Sequence, residues 1–254
     1  MAFHELWDQK FELVPGKWVF IPSTESRIRG EYIASEIKRK WQAPFYFYHC
    51  RQGGHVEALK KHMASRYFCC IDIKSFFASI NRSRVTRVLK KHFGYVIARE
   101  FSRDSVILLN ENDSKKYILP FGFLQSPIIA SICLDESALG RRLCKLASSY
   151  NFIVSVYVDD IILSCNDIDL LRKEFENIII ATNRSGWKIS TEKTYAPSEQ
   201  ILAFNIQMSH GYLGILPERM NLFSTAYQKA ESDHQKEGIL RYIRSINPNQ
   251  TVLL

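Results

Sequence analysis

The feature that most constrains the fold is an acidic pair set between two apolar runs in residues 152–164. Asp159 and Asp160 are adjacent there, and no glycine or proline interrupts the runs. Because valine, isoleucine, tyrosine and phenylalanine favour strands, the pattern predicts two short strands joined by a tight turn at the carboxylates. Adjacent carboxylates on buried strands are costly unless a cation neutralises them, and oxygen ligands suit Mg²⁺. The alternative is an ordinary polar hairpin turn.

Length and composition are typical of a soluble globular protein. The 254 residues allow one large domain or two small ones, and 46% of them are apolar while 24% are charged. The apolar runs are too short to span a bilayer, and the N-terminus lacks a signal-peptide pattern. We therefore expect a cytoplasmic protein that does not bind membranes. The six cysteines form no C-x-x-C pair, so we expect them to be reduced and mostly packed in the core.

The net charge of +8 is unevenly distributed along the chain. Residues 1–103 contain 19 lysines and arginines against 9 acidic residues, whereas residues 104–254 contain 15 against 17. A basic half beside a nearly neutral half indicates a surface that faces a polyanion such as nucleic acid. An ordinary solvated surface is the alternative.

A second informative stretch covers residues 66–77, where a run of β-branched and aromatic residues predicts a strand with Asp72 at its end. Two aromatic residues, Phe76 and Phe77, follow. Ser83 is the expected N-cap of the next helix, in which Val85, Val88, Leu89 and His92 have helical spacing. Basic residues cluster on or beside this helix, either as a solvated face or as phosphate contacts: Arg82, Arg84, Arg87, Lys90, Lys91 and Arg99.

Periodicity, capping residues and turn residues assign the remaining elements. One predicted helix ends at Lys40 and has Ile33 and Ile37 on one face, and another covers residues 55–62. A further helix runs from Ser126 (N-cap) and Pro127 to about Ser149, and the next runs from Ile168 to Gly186. Most of the last 40 residues are also predicted to be helical. Predicted strands cover residues 45–48, 105–109 and 115–119 around a turn at 110–113, begin at Trp187, and form a hairpin over 200–215 that turns at His210-Gly211. Strands and helices interleave without regular βαβ spacing, which favours an α+β fold with helices on one face of an antiparallel sheet.

Asp72, Asp159 and Asp160 together suggest a chemistry. Three carboxylates from two strands can hold two Mg²⁺ ions about 3.5–4 Å apart, an arrangement that serves in-line phosphoryl transfer. One ion would activate a 3′-hydroxyl and the other would neutralise charge on the leaving pyrophosphate. The sequence therefore predicts a metal-dependent phosphoryl-transfer site.

Several motifs also resemble those of reverse transcriptases, in order and in spacing. Motifs A to D correspond to residues 72–77, 119–127, 157–160 and 186–193, and residues 202–205 stand where motif E would lie, so that the resemblance covers about residues 45–215. It implies an α+β right-hand polymerase with fingers in residues 1–68 and 82–119, palm in 69–81 and 120–215, and a reduced helical thumb in 216–254. We expect no ribonuclease H, maturase or endonuclease segment after residue 215.

The resemblance also assigns roles to residues. Asp72 and Asp159 correspond to metal ligands, with Asp160 supporting them and the main-chain carbonyl of Ile73 completing the shell. Phe77 stands at the steric-gate position, where a ring excludes a ribose 2′-hydroxyl; a core phenylalanine is the alternative. Lys193 corresponds to the lysine that protonates pyrophosphate as a general acid, and an exposed loop lysine is the alternative.

The binding residues are assigned more broadly. The nucleotide is expected to contact Lys74, Ser75, Phe76, Phe77, Phe121 and Gly122, and nucleic acid to contact Arg51, Lys60, Lys61, Arg84, Arg87 and Tyr157. Gly122 would allow the backbone to approach the nucleotide or template closely. Phe121 departs from the family pattern, because many reverse transcriptases have glutamine there. The Asn-Ala-x-x-His and Val-Thr-Gly signatures of retron enzymes are absent, so the chain looks most like the defence-associated, stand-alone bacterial reverse transcriptases.

The residues and the family resemblance together predict an RNA-directed DNA polymerase that uses two Mg²⁺ ions, with Mn²⁺ as an alternative. Bacterial antiphage defence is implied by the resemblance alone. The expected partners are dNTPs, an RNA template or non-coding RNA, the DNA product, and either a partner protein or further copies of the chain. Template-independent or protein-primed synthesis by the same site is one alternative function. An inactive RNA-binding scaffold is another.

Overall fold

The computed structural model describes residues 6–111 and 114–253. Its strands are β1 Trp7–Val14, β2 Lys17–Pro22, β3 Tyr67–Asp72, β4 Ile107–Glu111, β5 Ser114–Ile118, β6 Ile153–Tyr157, β7 Asp160–Cys165, β8 Tyr195–Ser198, β9 Gln200–Ala203, β10 Ile206–Ser209 and β11 Tyr212–Ile215. Its helices are α1 Thr24–Lys40, α2 Gly54–His62, α3 Arg82–Arg103, α4 Ser126–Asp135, α5 Ala138–Ala147, α6 Ile168–Arg184, α7 Pro217–Gln228 and α8 Asp233–Ile246. Helices and antiparallel sheets together confirm the α+β class.

The chain forms two compact units, each built from separate segments. The first contains the described residues up to Pro44, then Ile73–Arg142 and Ala181–Lys188. The second contains Phe45–Asp72, Leu143–Ile180 and the described residues from Ile189 onward.

In the second unit, β3 lies inside a four-stranded sheet of order β6-β7-β3-β8. Residues 68–72 of β3 are all buried, which explains why this strand is a nearly continuous apolar run. A three-stranded sheet of order β11-β10-β9 belongs to the same unit. Side chains of β3, β7 and this smaller sheet share one apolar core with α2, α7 and α8, including Phe68, Ile162, Met208, Met220 and Ile243.

In the first unit, β1 and β2 form a hairpin that the sequence analysis missed. Pro15 and Gly16 make its turn, with Gly16 at φ +80°, and the Gly16 N–H donates to the Glu12 carboxylate at 2.7 Å. The Pro-Gly pair was the available signal for this turn. Ile33 and Ile37 of α1 are buried, as their spacing predicted. A cavity of about 200 Å³ between α1 and α3 is lined by none of the predicted site residues.

Several predicted helix boundaries were wrong, each for a local reason. Asn81, not Ser83, caps α3 by accepting the Arg84 N–H at 2.9 Å. Gln125 occupies the N-cap position of α4, so Ser126 and Pro127 lie in its first turn. The predicted long helix to about Ser149 is divided into α4 and α5.

Three predicted strands also differ from the structure. Residues 45–48 form no strand; Phe47 makes a single parallel bridge to Val156, and a 3₁₀ helix covers Tyr48–Cys50. The strand expected from Trp187 begins instead at Tyr195. Residues 200–215 contain three strands rather than one hairpin, although the turn at His210-Gly211 is confirmed. Of the predicted turn at 110–113, residues 112 and 113 lie outside the described residues.

The six cysteines, all within the described residues, are free thiols, and four of them are buried: Cys69, Cys70, Cys133 and Cys165. Within residues 6–111 and 114–253, no helix is both long enough and apolar enough to cross a membrane.

Candidate active site

The acidic pair lies at the tip of the β6–β7 hairpin, in the second unit. Tyr157 pairs with Asp160, so Val158 and Asp159 alone make the turn. Asp160 is therefore the first residue of β7 rather than a turn residue, a small correction to the prediction. We call Val158, Asp159 and Asp160 the acidic tip.

Strand pairing brings Asp72 to the acidic tip. Asp72 is the last residue of β3 and is the register partner of Asp160, the first residue of β7. Asp72 is 4% exposed, so its carboxylate is held largely away from water. Burial and the neighbouring charges of Asp159 and Asp72 raise the pKa of Asp160 to about 7, while Lys193 acts in the opposite direction. The three aspartates therefore form one group of interacting like charges.

Lys193 lies close to this group. Its Nζ is 3.7 Å from Oδ2 of Asp72, and its side chain is 69% exposed. The segment before it is fixed to the end of β3, because the Ser190 N–H donates to the Asp72 carbonyl at 2.9 Å. The Asp72 N–H donates to Oγ1 of Thr194 at 3.3 Å. Lys193 is thus a solvent-accessible cation anchored near a buried carboxylate.

The donor set formed by Asp72 and the acidic tip has the chemistry that a hard divalent cation prefers. Burial, Asp159 and Asp72 raise the pKa of Asp160 and Lys193 opposes them, so three carboxylates interact with one cation and leave negative charge that a metal ion would neutralise. Yet in the part of the chain that the structure describes, no three His, Cys, Asp or Glu side chains are grouped tightly enough to hold a metal ion. Like charges repel one another, and a bound cation would offset that repulsion.

The other part of motif A lies in the first unit. Ile73 is buried, the Lys74 N–H donates to the Lys188 carbonyl at 2.9 Å, and Ser75 has φ +50°. Phe76 and Phe77 follow, as the beginning of a series of ring contacts.

These ring contacts form what we call the aromatic row: Trp187, Phe76, Phe77 and Phe121. Neighbouring ring centroids are 5.5, 5.8 and 5.7 Å apart, all in edge-to-face geometry. Nζ of Lys17 lies 4.7 Å from the centroid of the Phe121 ring, and the Arg84 guanidinium lies 4.5 Å from that of Trp187. Such contacts are individually weak but fix the orientation of each ring.

Gly122 has a structural reason to be glycine that the sequence analysis did not anticipate. Its φ is +111°, and a Cβ atom there would collide with the carbonyl oxygen of Phe20. The Phe20 N–H also donates to the Phe121 carbonyl at 2.8 Å. The close backbone approach is therefore made to β2 of the same unit.

The residues predicted to bind nucleic acid are divided between the units. Arg51, Lys60 and Lys61 lie on the second unit and are exposed. Arg84 and Arg87 lie on α3 in the first unit. Arg84 is half-buried, it donates to the Ser185 carbonyl, and burial lowers the pKa of its guanidinium.

Tyr157 lies in an aromatic and histidine cluster that the sequence analysis missed. Its ring contacts those of His49, His55 and Phe204 at centroid distances of 6.0, 5.8 and 5.4 Å. Nε2 of His55 lies 3.1 Å from the hydroxyl of Tyr242. Single histidines on separate segments give no periodic signal, so only the fold brings them together.

Comparison with known proteins identifies the family. The family model described as "Reverse transcriptase (RNA-dependent DNA polymerase)" matches residues 9–215, and the chain belongs to this family. It is 23% identical to the Retron Mx65 reverse transcriptase of Myxococcus xanthus over 212 aligned residues. The alignment covers 74% of this chain and 48% of the relative. The chain therefore spans about half the length of that relative.

Solved structures show the same fold. A foamy viral protease-reverse transcriptase in complex with double-stranded DNA has a TM-score of 0.53 and 16% identity, covering 92% of this chain and 35% of the other. Telomerase from Candida albicans, in complex with a fragment of telomeric RNA, has a TM-score of 0.56 and 10% identity, covering 87% and 46%. These likenesses confirm the right-hand polymerase fold.

Proposed function

We propose that the chain is an RNA-directed DNA polymerase, a nucleotidyltransferase that adds dNTPs to a 3′-hydroxyl. The observation that carries this proposal is the pairing of Asp72 with Asp160 across β3 and β7, with Asp159 in the adjoining turn. Membership of the reverse transcriptase family supports the same chemistry.

In this proposal Asp72, Asp159 and Asp160, with the main-chain carbonyl of Ile73, hold two Mg²⁺ ions, for which Mn²⁺ can substitute. When bound, the two ions neutralise charge on the attacking and leaving oxygens of phosphoryl transfer. The chain itself contributes carboxylates on two hydrogen-bonded strands, a support that limits their movement.

Two further residues act on the substrate in this proposal. Lys193 supplies a proton to the leaving pyrophosphate, a role that its exposure and its 3.7 Å approach to Asp72 support. Phe77 excludes the ribose 2′-hydroxyl and so selects dNTPs. Its half-buried ring and its contacts with Phe76 and Phe121 support a fixed orientation for this gate.

The proposed partners are an RNA template or a non-coding RNA, the DNA product, and either a partner protein or further copies of the chain. The net charge of +8 supports a nucleic-acid partner. Antiphage defence in the bacterial cytoplasm is the proposed setting, supported by the resemblance to defence-associated reverse transcriptases and by the similarity to a retron enzyme.

A primer-extension assay on an RNA template, with dNTPs and Mg²⁺, tests the proposal. The wild-type chain should extend the primer, and Asp159→Asn should not. Asp169→Asn is the matched control, because Asp169 is exposed on α6 and pairs with Arg172 there. Extension by the Asp159 variant at the wild-type rate would refute the assignment. Metal-dependent incorporation in any format would exclude an inactive RNA-binding scaffold.

Phe121 favours a second candidate function, template-independent or protein-primed synthesis. The amide that many family members have at this position is absent, and the Phe121 ring instead lies between Phe77 and Lys17. Incorporation that persists without template and primer, and that favours particular bases, would support this function. Strict dependence on an added template would reject it.

A further inference from the structure

The turn of the acidic tip is strained at one residue. Val158 has φ +60°, in the left-handed region that β-branched residues rarely adopt. Such a conformation persists only where the surrounding structure holds it in place. Val158 immediately precedes Asp159, so whatever holds this backbone also places that carboxylate.

A histidine from a distant segment holds the strained residue. The Val158 N–H donates to Nδ1 of His49 at 3.0 Å. Because a backbone N–H can only donate, Nδ1 must carry the lone pair, and the ring proton is on Nε2. The contact of Nδ1 with the Val156 carbonyl, at 3.4 Å, would need the proton on Nδ1, and we assign the tautomer from the shorter contact, at 3.0 Å to the Val158 N–H. Burial lowers the pKa of His49 to about 4, so the ring is neutral at pH 7 and can accept.

Residues 46–49, the segment that contains His49, lie beside the last residues of β6. The Val156 N–H donates to the Tyr46 carbonyl at 2.8 Å, and Phe47 forms a parallel bridge with Val156. The His49 ring meets the Tyr157 ring edge-on. Residues 46–49 therefore accept the N–H groups of both Val156 and Val158, the second of which lies in the turn.

We propose that His49 is a positioning residue of the polymerase site: its Nδ1 fixes the Val158 amide and thereby the orientation of Asp159 and Asp160. The inference rests on the proposed polymerase function. The effect of His49 on the site passes through the turn backbone, by way of the Val158 N–H.

Two substitutions separate the hydrogen bond from ring packing. His49→Asn keeps an acceptor, since Oδ1 is attached to Cγ as Nδ1 is, but removes the ring. His49→Phe keeps the ring contacts with Phe47 and Tyr157 but removes the acceptor. Loss of a buried acceptor should lower kcat by about tenfold or more in His49→Phe, with KM for dNTP nearly unchanged. His49→Asn should stay within about threefold of wild type.

His55→Phe is the matched control, because His55 also packs against Tyr157 yet makes no hydrogen bond to the turn among the described contacts. It should keep the wild-type kcat. If it loses as much activity as His49→Phe, or if His49→Asn is as impaired as His49→Phe, ring packing and not the turn hydrogen bond is responsible, and the inference is wrong. A wild-type kcat in His49→Phe would also overturn it.

Amide hydrogen exchange at Val158 tests the inference without a measurement of enzyme activity. Exchange should be slow in the wild type and in His49→Asn and at least about tenfold faster in His49→Phe, with thermal unfolding confirming that all three are folded. Equal exchange in all three would overturn the inference. A wild-type chain that incorporates no nucleotide but shows this exchange pattern would instead refute the proposed function alone.

Discussion

The acidic tip and the aromatic row are held in different ways. The acidic tip carries like charges on a strained backbone, and directional bonds hold it: strand pairing to β3 and the Val158 N–H to His49. The aromatic row has no charge of its own, and edge-to-face contacts with a cation at each end hold it. Concentrated like charge has to be held by directional hydrogen bonds, whereas uncharged rings are held in place by packing against one another.

The largest effect of a substitution on activity is expected at the acidic tip. Asp160→Asn should lower kcat by about 10³-fold, because under the proposed function a carboxylate that supports the metal ions is lost. The same change should raise the melting temperature by about 2–4 °C, because burial and neighbouring carboxylates disfavour the charged form. Steady-state incorporation and thermal unfolding measure both effects. A variant that is inactive and also less stable would show that Asp160 stabilises the fold rather than straining it.

Lys193→Gln should lower kcat by about 10²-fold, the usual size of a general-acid effect, with little change in KM. Lys188→Gln is the control, because the Lys188 side chain is exposed and only its carbonyl takes part in a described hydrogen bond. Single-turnover incorporation measures the chemical step. Equal rates for the two variants would mean that Lys193 is an ordinary loop lysine.

In the aromatic row, Phe77→Ala should reduce the preference for dNTP over rNTP by about 10- to 100-fold, because shape selection of this kind is worth about 1–3 kcal/mol. Incorporation of dNTP should change much less. The ratio of kcat/KM for the two substrates is the measurement. An unchanged ratio would leave Phe77 as a core residue.

A smaller effect is expected for Phe121→Gln, which removes the ring against Phe77. An edge-to-face pair is worth about 0.5–1.5 kcal/mol, so the preference for dNTP over rNTP, measured as the ratio of their kcat/KM values, should fall by up to about tenfold. In a Phe77→Ala background the substitution should have no further effect on the ratio. Additive effects would mean that Phe121 acts on the nucleotide directly.

Substitution of His62, which is fully buried under the β6–β7 hairpin, should have the smallest effect on activity at pH 7. Nδ1 lies 2.7 Å from Oγ of Ser164 and Nε2 lies 2.8 Å from Oγ of Ser155. Burial lowers the pKa of His62 to about 3, so between that value and about 6.5 the unfolded chain binds the proton and stability falls with falling pH.

This histidine should account for about 2 kcal/mol of lost stability between pH 7 and pH 5. His49 acts in the same direction, because its pKa is also lowered. Urea unfolding at both pH values measures the loss, which should be smaller in His62→Gln. An identical loss in that variant would show that other groups control acid stability.

The sequence predicted those parts of the site that local patterns encode. The β6–β7 hairpin and Asp72 at the end of β3 follow from apolar runs that end in carboxylates, and their register follows from the pairing of the strands. His49 and the reason for Gly122 could not be predicted, because both depend on contacts across the fold. The missing strand at residues 45–48 has the same cause: the segment pairs with β6 through one bridge and then turns into a 3₁₀ helix.

The central claim is that the acidic tip binds divalent cations, and thermal unfolding during a Mg²⁺ titration tests it most directly. A ligand that binds only the folded state stabilises it by RT ln(1 + c/Kd), where c is the free ligand concentration, and so raises the melting temperature as its concentration rises. The wild-type chain and Asp169→Asn should both become more stable as Mg²⁺ is added, whereas Asp159→Asn should not respond. An equal increase in the Asp159 variant would contradict the account.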